Sequence, residues 1–325
     1  MRVAAIDIGT VTSRLFVADV CESGLQTVVR RSVITNLGEG VDATGMLSAE
    51  AIDRTVATVA DYKHAIDECS AEVPVDRIVA LATSASRDAG NSDEFVQRLR
   101  KIGVELTVIP GEREAYLSFL GASSDFRDED LLFADIGGGS TELAFGRAST
   151  GDDPLVPEVD LRASHSFNIG CRRMTERFLK SDPPSESELA AAHDWAIETL
   201  QPFFEGDGFA CERLVAVAGT PTSVVAVRDA LVPYDSEKVH GAQVARAEFD
   251  SVAQRMFALP LAERMRVPGI QPKRAGVFPA GAVIMGAVME LAGVDRFTAS
   301  ESDILKGIVL DAARSASAKV ASSTC

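Results

Sequence analysis

The chain has 325 residues, of which 46% are hydrophobic, and a formal net charge of −16. This length and composition predict a substantial core divided between two domains. The acidic balance argues against broad nucleic-acid binding, and a polyanionic ligand would need a metal ion and clustered arginines to reverse the potential locally.

The sequence shows no pattern typical of export or membrane insertion. The N-terminus enters a predicted strand directly, without the basic segment and long apolar run of a secretory signal. The most apolar segment, residues 277–291, is too short to span a bilayer, so we expect a core helix there. Five scattered cysteines without metal-type spacing favour a cytoplasmic protein with reduced thiols.

The first predicted strand ends in an acidic turn. Apolar residues from Val3 onward lead to Asp7, and Gly9, Thr10 and Ser13 follow it. Glycine lets backbone N–H groups approach an anion closely, and the hydroxyl groups add further donors. Returning strands are then predicted over 15–18 and 26–33, which indicates a meander.

The next segments alternate helices and strands. A helix capped by Ser48 is predicted by near-helical apolar spacing, and a buried strand over 77–82 delivers Arg87 to its carboxyl end. Ligands bind at that end in open α/β sheets. Arg87 is therefore either a solvated loop arginine or a phosphate contact.

A further helix carries Glu112 and Glu114 near its start, after a predicted strand over 104–109. Carboxylates at i and i+2 point in different directions, so at most one of them faces a cleft. A glutamate in a first helical turn also complements the helix dipole, and the local pattern alone favours that role for both residues.

The stretch Leu131–Glu142 has the most informative pattern in the chain. An apolar strand drives Asp135 to its end, and three glycines and two hydroxyl residues follow at once. Three adjacent glycines exceed what a hairpin needs, which favours a phosphate cradle beside a cation-binding carboxylate over a simple turn. Asp7 and Asp135 lie about one domain length apart, which suggests a duplicated α/β unit with two anion-binding loops facing one cleft.

The rest of the chain is predicted to be mostly helical. Arg172 and Arg173 follow a strand end and either form surface salt bridges or line the cleft. A third glycine and hydroxyl turn begins at Gly219, and by itself it is weak evidence of a site. A small-residue helix over 279–291 precedes a final strand and helix.

Six segments carry a family signal, in order along nearly the whole chain. They are VAAIDIGTVTSRL (3–15), LATSASRDAGN (81–91), GEREAYLSFLGA (111–122), FADIGGGSTELAFG (133–146), VAVAGTPTS (215–223) and PKRAGVFPAGA (272–282). Together they resemble the exopolyphosphatase/guanosine pentaphosphate phosphohydrolase (Ppx/GppA) family, in its short two-domain form. The DIGGGSTE element beside GEREA is far more specific than a lone glycine motif.

The resemblance implies an α/β protein with the actin-like ATPase (sugar kinase/Hsp70/actin) fold, in which two duplicated α/β domains surround a cleft. We expect domain I over residues 1–122 and domain II over 123–302, with a C-terminal helix at about 303–317 packing back on domain I. The resemblance also implies a hydrolase of phosphoric anhydride bonds that uses Mg²⁺, with Mn²⁺ as a substitute.

The family motifs also imply roles for individual residues. Glu114 matches the base that orients or deprotonates the attacking water, and Asp135 and Glu142 match Mg²⁺ ligands, with Asp7 as a further candidate. The implied phosphate-binding residues are Gly9, Thr10, Ser13, Arg14, Arg87, Gly137, Gly138, Gly139, Ser140 and Thr141.

The sequence departs from the family pattern at several positions. Val11 replaces an asparagine in the first loop, Arg113 replaces the first glutamate of the E-E-A motif, and Gly276 and Leu305 replace a common aspartate and arginine. Loss of a polar phosphate contact at Val11 can alter the preference for polyphosphate chain length. The other residues that the family motifs imply for the site are present.

The leading hypothesis is an exopolyphosphatase acting on inorganic polyphosphate, with a preference for short chains. The nearest alternative is hydrolysis of pppGpp by the same residues. A sugar kinase or nucleotidase of the same fold, with adenosine at Gly219, is opposed by GEREA, and a non-enzymatic sensor is opposed by the presence of Glu114, Asp135 and Glu142. The resemblance and the small-residue helix also predict a homodimer.

Overall fold

The computed structural model describes residues 1–22, 24–151, 153, 155–205 and 211–322, with side chains described as far as Ser315. The chain divides into two units, each assembled from separate segments. The first unit contains Met1–Asp128, Arg147–Asp160 and the chain from Asp303 onward, and the second contains Glu129–Gly146 and Leu161–Ser302.

The first unit includes a segment that the sequence prediction assigned to domain II. Within residues 147–160, Val156 is buried in one cluster with Leu120 and Leu310, which both belong to the first unit. Burial of these apolar side chains explains why the segment packs with the first unit, although its neighbours along the chain lie in the second.

The strands form two sheets. In chain order they are β1 (Arg2–Ile8), β2 (Thr12–Cys21), β3 (Gly24–Ile34), β4 (Arg77–Ala82), β5 (Leu106–Val108), β6 (Asp130–Ile136), β7 (Thr141–Ser149), β8 (Glu158–Phe167), β9 (Arg213–Val217), β10 (Gln243–Ala245) and β11 (Arg296–Ala299). The sheet orders are β3-β2-β1-β4-β5 and β10-β11-β9-β6-β7-β8.

The helices cover these sheets. In chain order they are α1 (Val41–Thr44), α2 (Ala49–Glu72), α3 (Ser84–Asp88), α4 (Ser92–Lys101), α5 (Gly111–Ser123), α6 (Cys171–Phe178), α7 (Glu186–Phe204), α8 (Gly219–Arg228), α9 (Ser236–Val239), α10 (Arg246–Phe257), α11 (Leu261–Arg264), α12 (Phe278–Leu291) and α13 (Ile304–Ser322), with a 3₁₀ turn at Pro272–Arg274 before α12.

The first sheet is buried on both faces at its centre. Strand β1 pairs antiparallel with β2 and parallel with β4, and β2 pairs antiparallel with β3. Along β1, Ala4 and Ile6 join one apolar cluster while Val3 and Ala5 join another, as expected when alternate side chains point to opposite faces. The predicted meander is therefore confirmed.

The second sheet places two loops at one edge. Strands β6, β9 and β11 run parallel to one another, so their carboxyl ends lie on the same side of the sheet. The turn at Gly137 follows β6, and the turn at Gly219 follows β9. Both glycine turns of this unit therefore lie at the edge where open α/β sheets bind ligands.

Helix α12 packs inside the second unit, as the sequence predicts. Every residue from Phe278 to Met289 is buried, and its side chains join the largest apolar cluster of that unit. None of the helices among the described residues combines the length and apolarity needed to cross a membrane.

Candidate active site

The turn after β1 is held by backbone hydrogen bonds within the first unit. The Gly9 N–H donates to the Thr12 carbonyl at 3.0 Å, and the Gly38 N–H donates to the Thr10 carbonyl at 2.9 Å. A Cβ at Gly38 would lie 2.3 Å from Thr10 Cγ2, so the two segments approach this closely only because residue 38 is glycine. The predicted anion loop is thus fixed in shape.

Ser13, a predicted phosphate ligand, is buried under this turn. Its Oγ lies 2.9 Å from Thr35 Oγ1, and the two side chains form a buried hydroxyl pair. The Tyr62 hydroxyl donates to the Ser13 carbonyl at 2.7 Å. These contacts tie the first loop to β3 and α2, so Ser13 supports the shape of the loop.

Arg14 joins two carboxylates of the first unit. Its Nε and Nη2 donate to Asp7 Oδ2 at 3.0 and 2.6 Å, and its Nη1 donates to Asp303 Oδ2. Burial raises the pKa of the Asp7 carboxyl above its ordinary value, the charge and hydrogen bonds of Arg14 oppose that rise, and Asp303 adds to it. The predicted phosphate-binding arginine is therefore already an ion-pair partner.

Glu114 and Arg87 are brought together in the first unit. Glu114 lies in the first turn of α5 and is 7% exposed, and Arg87 Nη1 donates to its Oε2 at 3.1 Å. The same guanidinium nitrogen donates to the Ile109 carbonyl at 3.1 Å. Glu112, in the same turn, is exposed. Of the two glutamates, Glu114 is thus the one oriented and partly shielded from water.

The glycine turn after β6 packs against the start of α6. The Cys171 and Arg172 N–H groups donate to the carbonyls of Gly137 and Gly138 at 2.9 and 2.8 Å. A Cβ at Gly170 would lie 2.5 Å from the Gly138 carbonyl carbon. The helix terminus therefore holds the carbonyl side of the turn.

The N–H groups of this turn are candidate anion donors. The Gly137 N–H donates to the Ser140 carbonyl at 3.0 Å, which closes the turn. Within the part of the chain that the structure describes, the N–H groups of Gly138 and Gly139 donate to no backbone carbonyl. Successive N–H groups in a glycine turn make a concave surface that suits phosphate oxygens.

The acidic and hydroxyl residues around this turn are buried. Asp135 is the penultimate residue of β6 and is 7% exposed, and Thr141 Oγ1 donates to the Ile169 carbonyl at 2.6 Å. The Ser166 hydroxyl donates to Glu142 Oε1 at 2.6 Å and so orients that carboxylate. Sequence reasoning missed Ser166, because a serine on a half-exposed strand carries no local signal of this contact.

The carboxylates of the second unit suit a magnesium ion. Among the described residues, no cluster of three or more His, Cys, Asp or Glu side chains could hold a metal. Mg²⁺ is commonly bound by one or two carboxylates together with water and substrate phosphates. Asp135 and Glu142 fit that donor chemistry, because both offer hard oxygen atoms beside a turn with anion-binding N–H groups.

The third glycine turn of the chain follows β9, and an arginine contacts it that sequence reasoning missed. Ala218 has a positive φ of 72° before α8, and a Cβ at Gly219 would lie 1.6 Å from Arg274 Nη1. The Arg274 side chain therefore lies directly over Gly219, where any other residue would displace it. The motif PKRAG, which contains Arg274, was the one signal in the sequence. It did not show that the arginine contacts Gly219, because that contact depends on the fold.

The predicted site residues thus fall into two groups, one in each unit. The first unit pairs Asp7 with Arg14 and Arg87 with Glu114, while Gly9, Thr10 and Ser13 form the loop beside them. The second unit places Asp135, the glycine turn, Thr141 and Glu142 along one continuous strand, turn and strand. Each unit therefore offers an acidic residue beside a shaped turn.

Comparisons with known proteins identify relatives over the full length. A family model described as the Ppx/GppA phosphatase family matches residues 16–316. Exopolyphosphatase 2 of Mycobacterium tuberculosis is 37% identical over an alignment that covers 96% of this chain and 98% of that protein.

Solved structures give the same result. A Ppx/GppA family member from Aquifex aeolicus superposes with a TM-score of 0.79 at 30% identity, covering 97% of this chain and 98% of that one. An exopolyphosphatase from Cytophaga hutchinsonii superposes with a TM-score of 0.85 at 25% identity, covering 96% and 98%. These matches, together with the two mixed sheets, confirm the predicted actin-like α/β fold.

Proposed function

Because the chain belongs to the Ppx/GppA phosphatase family, we propose that it is an exopolyphosphatase, which hydrolyses the terminal phosphate from inorganic polyphosphate. The observation that carries this proposal is the Arg87–Glu114 pair, which places a buried carboxylate in a fixed orientation at the start of α5. A carboxylate held in this way is suited to orient water or accept its proton.

Phosphoryl transfer requires little covalent chemistry from the protein. The reaction needs charge neutralisation on the phosphate oxygens and an attacking water in line with the leaving group. We assign the first role to the N–H groups of Gly138 and Gly139 with Arg14 and Arg87, and the second to Glu114. No covalent intermediate is required.

We propose Mg²⁺ as the cofactor, with Mn²⁺ as a substitute. Both candidate arginines already pair with carboxylates, Arg87 with Glu114 and Arg14 with Asp7 and Asp303. The protein also carries a formal net charge of −16, so these arginines alone do not make the site strongly positive. A bound Mg²⁺ would supply the missing positive charge on the phosphate oxygens, with Asp135 and Glu142 as its protein ligands and Asp7 as a further candidate.

The proposed substrate preference is for short polyphosphate chains. Val11 is buried in the first loop, where the family pattern implies an asparagine, so an apolar side chain takes the place of one polar phosphate contact. Fewer contacts along the substrate reduce the advantage of a long chain. Hydrolysis of pppGpp by the same residues is the alternative, because its terminal phosphate presents the same anhydride bond.

We also propose a cytoplasmic homodimer. Helix α12, one basis of that prediction, is buried within the second unit and so offers no surface to a partner. The dimer therefore rests on family resemblance, and sedimentation at several protein concentrations tests it.

A substrate panel tests the proposed function. Orthophosphate release is measured from tripolyphosphate, long-chain polyphosphate, pppGpp and ATP, each with Mg²⁺ and with excess chelator. We expect Mg²⁺-dependent release with the highest kcat/KM on tripolyphosphate. Release from pppGpp alone would replace the proposal with its alternative, and release from none of the four would refute both.

A further inference from the structure

Asp303 lies at the start of α13 and contacts the predicted phosphate arginine of the first loop. We propose that Asp303 is a specificity-determining residue, which retains the Arg14 guanidinium on two carboxylates and thereby weakens phosphate binding at that loop. The inference rests on the proposed function, because it concerns how strongly the same site holds a polyphosphate.

The geometry divides the guanidinium between two acids. Arg14 stands opposite Asp7 in the β1–β2 register, and its Nε and Nη2 both donate to Asp7 Oδ2. The remaining nitrogen, Nη1, donates to Asp303 Oδ2. Both carboxylates are more than nine-tenths buried, whereas the Arg14 side chain is 20% exposed. A phosphate approaching Arg14 therefore competes with carboxylates that are already in contact.

The position of Asp303 is fixed by the packing of α13 on α5. A Cβ at Gly121 would lie 1.9 Å from the Asp303 carbonyl oxygen, and a Cβ at Gly307 would lie 1.8 Å from the Leu117 carbonyl oxygen. The two helix backbones are thus in direct contact through paired glycines. This close packing holds Asp303 in place beside Arg14. A phosphate can therefore take over the Arg14 guanidinium only if the arginine side chain moves away from Asp303.

The cap at this position needs a hydrogen-bond acceptor, and a negative charge adds only the interaction with the helix dipole. Asp303 Oδ1 accepts from the Leu305 N–H at 3.0 Å and so caps the start of α13. Asparagine and serine cap helices about as well as aspartate does. Beyond the helix terminus, the charge of Asp303 acts on Arg14, whose guanidinium it contacts.

The charge balance agrees with this assignment. One guanidinium contacts two carboxylates, those of Asp7 and Asp303. An excess of acid over base at the loop disfavours an incoming polyanion. Removing the charge of Asp303 takes away one of the carboxylates that hold Arg14, so that Arg14 can bind a phosphate at lower cost.

The test compares Asp303→Asn with wild type for turnover and for binding of inorganic tripolyphosphate. Binding is measured by calorimetry with Mg²⁺ in a Glu114→Gln background, where turnover does not interfere. We expect KM and Kd to fall about three- to tenfold, with kcat changed less than twofold. Asp303→Ser, which keeps a cap of different size, is expected to behave in the same way.

Two controls isolate the mechanism. Asp125→Asn removes an equal charge that pairs with Lys306 on α13, away from the loop, and is expected to change Kd less than twofold. When Arg14→Gln is the reference protein, adding Asp303→Asn is expected to give no gain in affinity for tripolyphosphate. Unchanged or weaker binding by both folded Asp303 variants, or a gain that persists without Arg14, would overturn the inference.

Failure of the inference and failure of the proposed function give different results. If wild type releases no orthophosphate from tripolyphosphate or from long-chain polyphosphate, the proposed function fails. If wild type is active and the Asp303 variants bind no more tightly, only the role of Asp303 fails.

Discussion

Arg87 Nη1 lies 3.1 Å from Glu114 Oε2 and donates at the same distance to the carbonyl of Ile109, where the chain leaves β5. One guanidinium therefore connects the carboxylate at the start of α5 to the backbone of the preceding segment. Because Nη1 makes both contacts, it holds the Glu114 carboxylate beside the backbone at Ile109, and the fold of the first unit therefore sets the orientation of Glu114.

Replacing Glu114 by glutamine tests its assignment as the base. Glutamine keeps the size and the Arg87 contact but loses the ability to accept a proton, so kcat on tripolyphosphate is expected to fall by a factor of ~10³. Glu112→Gln is the matched control, because Glu112 is exposed in the same turn, and it is expected to retain activity within twofold. Equal losses in the two variants would assign the effect to the helix terminus.

Replacing Arg87 by methionine tests the ion pair. The carboxylate of Glu114 then loses a nearby positive charge, so its ionised form becomes less stable. The acidic limb of the kcat/KM profile is expected to move to higher pH, and kcat/KM at the optimum is expected to fall ~10- to 100-fold. Arg98→Met, at an arginine paired with Asp53 on the exposed side of α2, serves as the control. An unchanged acidic limb would remove Arg87 from the site.

Gly170→Ala tests the contact between α6 and the glycine turn. The added methyl group meets the Gly138 backbone at 2.5 Å, so the turn must shift, at a cost of about 1–3 kcal/mol in the free energy of unfolding. Activity is expected to fall more than tenfold in the protein that remains folded. Gly286→Ala meets only ordinary contacts at 3.5 Å and is expected to be fully active and as stable as wild type or more so.

Tyr62→Phe tests the support of the first loop. Loss of the hydrogen bond to the Ser13 carbonyl is expected to cost about 1 kcal/mol of stability at pH 7, measured by urea unfolding. Burial raises the pKa of Tyr62 to about 12. A phenol whose folded pKa is raised contributes stability that is present below pH 10 and is lost as the pH rises through 12.

The alkaline part of this prediction is measured as a difference between the two proteins. Between pH 10 and pH 12, the unfolding free energy of wild type should decrease by ~2 kcal/mol more than that of Tyr62→Phe. Parallel pH profiles would contradict the burial of this phenol.

The elements of the site that follow strands were predictable from sequence. Asp7 and Asp135 each end an apolar run, and a turn with glycine and hydroxyl residues follows at once, so strand, carboxylate and loop are readable within a few positions. The fold class follows from the same alternation of strands and helices. The family motifs then singled out Glu114 from Glu112, which local pattern alone did not.

The partners of these residues were not predictable, because they come from distant parts of the chain. Asp303 is separated from Arg14 by 289 positions and reaches it only because α13 packs on α5. Ser166 contacts Glu142 across neighbouring strands, and Arg274 covers Gly219 through tertiary packing. No local pattern encodes such contacts, so the arginines predicted as phosphate ligands gave no sign of being paired with carboxylates.

In the proposed reaction, water directed by Glu114 attacks the terminal phosphorus of the polyphosphate chain. Hydrolysis of tripolyphosphate with Mg²⁺ in water enriched in oxygen-18, followed by mass spectrometry of the products after a single turnover, tests it directly. We expect one labelled oxygen in the orthophosphate, none in the pyrophosphate, and labelling that is slower by a factor of ~10³ with Glu114→Gln. Label in the pyrophosphate, or an undiminished rate of labelling in that variant, would contradict it.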